Sequence, residues 1–302
     1  MYLYHYGIKE LPFTLTPNTN YFFGLPSHKE AIQVLLTALK TGEGFIKVTG
    51  EVGTGKTLIC RKLLNEFPAH FIAAYIPNPY LTPTELRRSV ASELNVFLTD
   101  HSDQQEFTQR IQERLVQIHK ENKGVVLIID ESQALPVESI EALRLITNLE
   151  TESRKLLQVV LFGQPELNDK LALPELRQLK QRVTFSYNLK MMDADQLYQY
   201  VQHRMTVAGY PGDDLFDRKC CSLLFNASKG TPRIVNVLCH KALMLAYGEG
   251  LQKITESHVK LAIIDTEAAT QTKNTLLISC ISILVAMIAI SFTYVDWSGF
   301  AV

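Results

Sequence analysis

The sequence predicts an α/β protein: a parallel β-sheet flanked by helices, then a small all-helical unit, then one apolar C-terminal helix. Three observations carry this. A glycine-rich octapeptide, Gly50-Glu51-Val52-Gly53-Thr54-Gly55-Lys56-Thr57, joins an apolar run to a segment that can continue as a helix. A second apolar run, Val125–Ile129, ends in Asp130-Glu131. From about Asp193 the short apolar runs give way to helical spacing alone. Short strands alternating with helices argue for a parallel sheet covered on both faces.

The octapeptide comes first. Phe45–Thr49 reads as the strand that enters it, and Leu58–Leu64 as part of the helix that leaves it. That order is what a phosphate-binding loop requires. Its glycines let the backbone curl so that successive N–H groups face phosphate oxygens, and the helix start adds its positive end. In such a loop Gly50, Glu51, Val52, Gly53, Thr54, Gly55, Lys56 and Thr57 hold the nucleotide. Lys56 reaches the β- and γ-phosphates and the Thr57 hydroxyl reaches Mg²⁺. The run Val125–Ile129 is continuously apolar, as a strand buried on both faces should be. At its end Asp130 is placed to hold Mg²⁺ through water, and Glu131 to polarise an attacking water. Paired with the loop, this acid predicts ATP or GTP binding with Mg²⁺.

Further strands are expected at 71–76, stopped by Pro77, at 156–162 before Gly163-Gln164-Pro165, and at 183–187, where alternation points to a sheet edge. A helix is expected at 139–149. Beyond Asp193, helices are expected at 194–207, 216–228, 232–247 and 256–266, with Pro232 in a favoured first-turn position. The expected organisation is a lead segment and first helix at 1–40, a nucleotide-binding α/β domain at 41–192 and a helical lid at 193–268. A transmembrane helix is expected at 275–295.

That last segment, TLLISCISILVAMIAISFTYV, carries no charge between Lys273 and Asp296. As a helix it would be about 32 Å long, enough to cross a hydrocarbon core of about 30 Å. Lys260 and Lys273 precede it, no Lys or Arg follows it, and Tyr294 and Trp297 suit an interfacial belt. The asymmetry places the nucleotide domain in the cytoplasm, with the C-terminus outside. The opening residues lack a signal peptide's basic and apolar regions.

At 302 residues, 46% hydrophobic and 20% charged, the chain has the composition of a globular protein. A net charge of −1 gives no general attraction to nucleic acid or anionic lipid. The cysteines at 60, 220, 221, 239 and 280 show no metal-binding spacing and read as small buried hydrophobes.

The octapeptide, VVLIIDES at 125–132, LFGQPEL at 161–167 and GTPR at 230–233 resemble an AAA+ ATPase. More narrowly they are similar to the ExeA/GspA-type ATPases (general secretion pathway protein A type) of bacterial secretion and pilus assembly. The lead segment, with Pro12-Phe13, Pro17, Tyr21-Phe22 and a helix from His28 to Leu39, shares in that resemblance, which spans roughly residues 1–266. It implies a P-loop NTPase of AAA+ type that hydrolyses ATP with Mg²⁺. It also implies three further site residues. Gln164 resembles the polar sensor of the γ-phosphate or attacking water. Arg233 resembles the lid arginine that reports the γ-phosphate. Arg182 is similar in position to an arginine finger given to a neighbouring subunit, with Arg177 as the rival. Tyr21 and Phe22 fit either an adenine pocket or the core.

The implied setting is a homo-oligomer, ring or filament, at the bacterial inner membrane, working with inner-membrane pilus or secretion assembly proteins. Members of the group carry a periplasmic, peptidoglycan-binding region after their membrane helix. Here residues 296–302 follow it, so an envelope role is expected to run through a partner. Two alternatives are a nucleic-acid-binding regulator of the transposition-ATPase type and a non-hydrolysing, ATP-dependent scaffold. A basic stripe or helix-turn-helix would mark the first; Lys180, Arg182 and Lys190 are too few, and nucleic acid is not expected as a partner.

Overall fold

Five strands line up, all parallel, in the order Phe71–Ile76 (β2), Gly124–Ile129 (β3), Leu157–Gly163 (β4), Phe45–Thr49 (β1) and Val183–Asn188 (β5). The structure is a computed structural model, and it describes residues 2–96, 104–148 and 155–269. In chain order its helices and strands are α1 (Leu3–Tyr6), α2 (Pro26–Thr41), β1 (Phe45–Thr49), α3 (Lys56–Asn65), β2 (Phe71–Ile76), α4 (Pro83–Glu93), α5 (Gln104–Lys120), β3 (Gly124–Ile129), α6 (Val137–Ile146), β4 (Leu157–Gly163), α7 (Glu166–Leu171), α8 (Arg177–Arg182), β5 (Val183–Asn188), α9 (Ala194–Val207), α10 (Arg218–Ser228), α11 (Pro232–Gly248) and α12 (Glu256–Ile264).

The strand sequences explain their places. β4 is buried at every residue and β3 at all but its first, because helices cover both faces of the inner strands. β5 alternates between half-buried and exposed residues, as the sequence predicts for an edge. Alternate residues then divide two cores. Ile46, Val48, Val126, Ile128, Val160 and Phe162 face α2 and α3. Leu127, Ile129, Val159 and Leu161 face the opposite helices, with Leu86, Leu115 and Leu143 among their neighbours.

Asp193 starts the helical unit by a capping box, its carboxylate accepting from the Gln196 N–H at 2.8 Å while Gln196 bonds back at 3.2 Å. Asp217 caps α10 by a single bond, accepting the Cys220 N–H at 2.7 Å, so that helix opens at Arg218 rather than Phe216. The lead segment divides between two cores. Tyr2, Tyr6, Ile8, Phe13, Tyr21 and Leu25 join the helical unit, whereas α2 packs on the sheet. Residues 2–25 thus form a strap over the lid, an attachment that local periodicity does not reveal. The apolar run 275–295 lies outside the described residues, among which no helix is long and apolar enough to cross a membrane.

One glycine fixes how lid and sheet domain meet. Gly230 has φ of +75°, and a Cβ there would lie 2.0 Å from the Met192 carbonyl oxygen. Its own carbonyl accepts the Met192 N–H at 3.1 Å. Gly230→Ala is therefore expected to cost about 2–4 kcal/mol of unfolding free energy by chemical denaturation. Gly250→Ala is the control. It has φ of +70° with open space around it, so only the backbone penalty of about 1–2 kcal/mol applies.

Candidate nucleotide-binding site

The loop between β1 and α3 opens at the carboxyl edge of the sheet, where the chain's crossovers diverge on either side of β1. Gly53 and Gly55 take φ of +81° and +98°, which lets the loop turn back on itself. A Cβ on Gly53 would sit 2.7 Å from the Arg233 Cβ, so the lid helix α11 begins directly against the loop. The Arg233 N–H points to the Gly53 carbonyl at 3.4 Å. From behind, the buried His28 ring donates from Nε2 to the Thr54 carbonyl at 2.9 Å. Burial lowers the His28 pKa, which favours the neutral ring in that contact.

Lys56, 5% exposed, donates from Nζ to the carbonyls of Gly50 at 2.7 Å and Glu51 at 3.0 Å. Burial lowers its pKa; the carboxylates of Glu131, Asp130 and Glu51 pull it back up. The Thr57 hydroxyl donates to Asp130 Oδ2 at 2.7 Å, and the Glu131 N–H to Asp130 Oδ1 at 2.9 Å. Asp130 is 2% exposed, and burial raises its pKa against these two hydrogen bonds. A hydroxyl and a buried carboxylate in contact beside a phosphate loop suit a hard divalent cation, which takes oxygen ligands.

Glu131 sits in the left-handed region at φ +51°, a conformation that costs free energy for a residue with a side chain. Its Oε2 accepts from Gln133 Nε2 at 2.6 Å and from Gln164 Nε2 at 3.2 Å. β4 lies between β3 and β1, so Gln164 at its tip stands between the acid and the loop.

A cleft joins these groups. Its phosphate-loop end is lined by Gly53, Lys56, Thr57, Glu131, Gln164 and Arg233. Its other end is walled by strap residues 14–18 and by Tyr200, Arg204 and Asn236 of the lid. Tyr21 and Phe22 line neither end. Tyr21 is core, its ring 4.6 Å from the Arg204 guanidinium carbon, and Phe22 stacks on His28 at 6.0 Å.

Gln133, Arg204 and Asn236 carry no signal that sequence reasoning used. Arg204 is a buried cation, 5% exposed, that donates from Nε to the Pro12 carbonyl and from Nη1 to the Tyr200 hydroxyl at 3.0 Å. Asn236 receives the Tyr200 hydroxyl at 2.9 Å and donates to the Thr14 carbonyl at 3.3 Å. The network fastens the strap wall of the cleft to the lid.

Arg182 stands apart from this cleft. It ends α8, next to Val183, which pairs with Phe45 at the amino edge of the sheet. A strand's length, about 17 Å, separates that edge from the loop. Its guanidinium donates to the Asn148 side-chain oxygen. Arg177 is exposed at the start of α8.

A five-stranded parallel sheet with a phosphate loop after β1, an acid after β3, a polar residue after β4 and a helical lid defines an AAA+ P-loop fold. The AAA domain family matches residues 39–171. The chain is related to general secretion pathway protein A of Aeromonas hydrophila, being 39% identical to it over 262 residues. The match covers 87% of this chain and 48% of that protein, so the chain spans about half the length of this curated relative.

Solved structures share the fold. Cdc6p from Pyrobaculum aerophilum superposes with a TM-score of 0.69 at 17% identity, over 90% of this chain and 74% of that one. The Aeropyrum pernix ORC2 protein, in its ADPNP-ADP complexes, gives 0.62 at 15% over 86% and 74%. The RuvB Holliday junction branch migration motor of Thermotoga maritima gives 0.53 at 17% over 84% and 72%.

Proposed function

We propose that the chain is a membrane-anchored ATPase that couples ATP binding and hydrolysis to assembly of a bacterial type II secretion or pilus apparatus. The observation that carries the catalytic part is the meeting of Lys56, the Thr57–Asp130 pair and the Glu131–Gln164 pair at one edge of the sheet. In this reading the loop amides of residues 50–57 and the Lys56 ammonium bind the phosphates. Thr57 and Asp130 would hold Mg²⁺, which would supply charge neutralisation at the phosphates. Glu131 takes a proton from water as the water oxygen bonds to the γ-phosphorus and the bond to the ADP oxygen breaks; ADP leaves with that electron pair. Gln164 orients the water or the γ-phosphate, and Arg233 carries the change to the lid. A lid responds to hydrolysis only if it binds the two nucleotide states with different free energy.

The envelope task rests on the relation to general secretion pathway protein A. The resemblance carried by the opening segment, GQPEL at 163–167 and GTPR at 230–233 extends the proposal to the ATPase of mannose-sensitive haemagglutinin (MSHA) pilus assembly. Its location at the inner membrane, with the nucleotide domain in the cytoplasm, rests on the apolar run 275–295 and its flanking lysines. The test is phosphate release from ATP by the full chain in lipid, with Mg²⁺ and with a chelator, over a wide range of protein concentration. Mg²⁺-dependent release is expected, with a rate per subunit that climbs with concentration. Its absence at every concentration would overturn the hydrolytic reading.

A further inference from the structure

Glu131 and Gln164 face the cleft, and one side chain outside it binds both. Gln133 lies in the short 3-10 turn Ser132–Ala134 that follows the acid. Its Nε2 donates to Glu131 Oε2 at 2.6 Å, and its Oε1 accepts the Gln164 backbone N–H at 3.0 Å. A single amide thus spans the ends of β3 and β4, using its donor on one and its acceptor on the other.

The turn that carries Gln133 is itself pinned. The Ser132 hydroxyl lies 2.8 Å from the Phe162 carbonyl on β4 and 3.0 Å from the Ile129 carbonyl on β3. Lys170 Nζ donates to the carbonyls of Gln133 at 2.6 Å and Leu135 at 2.7 Å. A glutamate has three free side-chain torsions, and its left-handed backbone fixes only where the side chain starts. Gln133 supplies the second point of attachment. With Oε2 held by two amides, Oε1 is left to meet the water.

We propose that Gln133 is a positioning residue for hydrolysis, locking Glu131 and Gln164 into one polar unit so that the proton acceptor and the sensor keep a fixed relation. The inference rests on the hydrolytic reading above. Misplacing a catalytic group by about 1 Å can cost about 100-fold in rate. Gln133→Ala should therefore lower kcat by about 10- to 100-fold. KM and the Kd for Mg²⁺-ATP should stay within about twofold, because Gln133 itself does not line the cleft.

The isosteric variant separates positioning from packing. Gln133→Glu keeps the shape and the acceptor for Gln164 but turns the donor toward Glu131 into a second carboxylate. Two carboxylates at hydrogen-bond distance do not both stay ionised, and the shared proton disables the acceptor. Gln133→Glu should fall below Gln133→Ala in kcat while still binding ATP. A residue that only fills space gives the reverse order.

The experiment is steady-state kinetics and equilibrium ATP binding on the full chain and both variants. Losses confined to kcat, with Glu worse than Ala, support the proposal. Parent-like kcat in Gln133→Ala, Glu milder than Ala, or kcat and ATP binding lost together would overturn it. Should Gln133→Ala fail to fold, Gln133→Glu decides alone: at least a 100-fold loss of kcat with ATP binding retained supports the proposal, and any smaller effect overturns it. A parent that releases no phosphate takes down the hydrolytic reading and this inference with it. An active parent with unaffected variants takes down this inference only.

Discussion

Glu131→Gln is expected to lower kcat for ATP hydrolysis by about 10²- to 10⁴-fold while leaving ATP binding near the parent level. The amide is isosteric, so the left-handed backbone at φ +51° and the contact of the Glu131 N–H with Asp130 need not change. The groups assigned to phosphate and Mg²⁺, namely Lys56, Thr57 and Asp130, are untouched. What is lost is the ability to accept a proton from water. Single-turnover hydrolysis together with equilibrium binding checks both halves. A variant that hydrolyses at the parent rate would remove Glu131 from the mechanism, and one that cannot bind ATP would make it a structural residue. A Glu131→Gln form that also supports assembly in cells as well as the parent would turn the proposal toward an ATP-dependent scaffold.

The sequence made the phosphate end of the cleft legible because its chemistry is contiguous. Eight successive residues build the loop, and Asp130-Glu131 directly follows an apolar strand. Gln164 was reachable only through resemblance, since a Gln before a Pro is an ordinary turn. The edge position of β5 followed from alternation alone. The other end of the cleft had no comparable trace. Arg204 and Pro12 are brought together across nearly two hundred residues, and nothing in α9 distinguishes a buried arginine from an exposed one until the strap is in place. Periodicity reports which face of an element is buried, not which distant segment covers it. Nothing local says which surface the strap's aromatic residues cover; the structure puts Tyr2, Tyr6, Phe13 and Tyr21 on the lid. Gln133 has no local signature for a different reason. Its meaning depends on the left-handed turn at Glu131, which folds the chain so that residues two apart bond through their side chains.

Arg182→Ala should lower the rate by about 10³-fold or more if Arg182 is the finger, and the geometry dictates how that loss must behave. At the amino edge of β5, Arg182 is a strand's length from its own phosphate loop. Any action on transferring phosphate therefore falls on another copy of the chain. Protomers with Arg182→Ala keep an intact cleft but offer nothing to a neighbour. Protomers with Lys56→Ala lack the phosphate-binding ammonium but still present Arg182. Each alone should be inactive, and a mixture should regain activity, because an intact cleft can then meet an intact arginine across the interface. The recovered rate should rise with total protein concentration. Arg177→Ala, the same charge change at the other end of α8, is the discriminating control. If Arg177→Ala shows the loss and the recovery instead, the finger lies at the exposed start of α8. If neither variant loses activity, the site is complete within one subunit, and a ring or filament is not needed for chemistry.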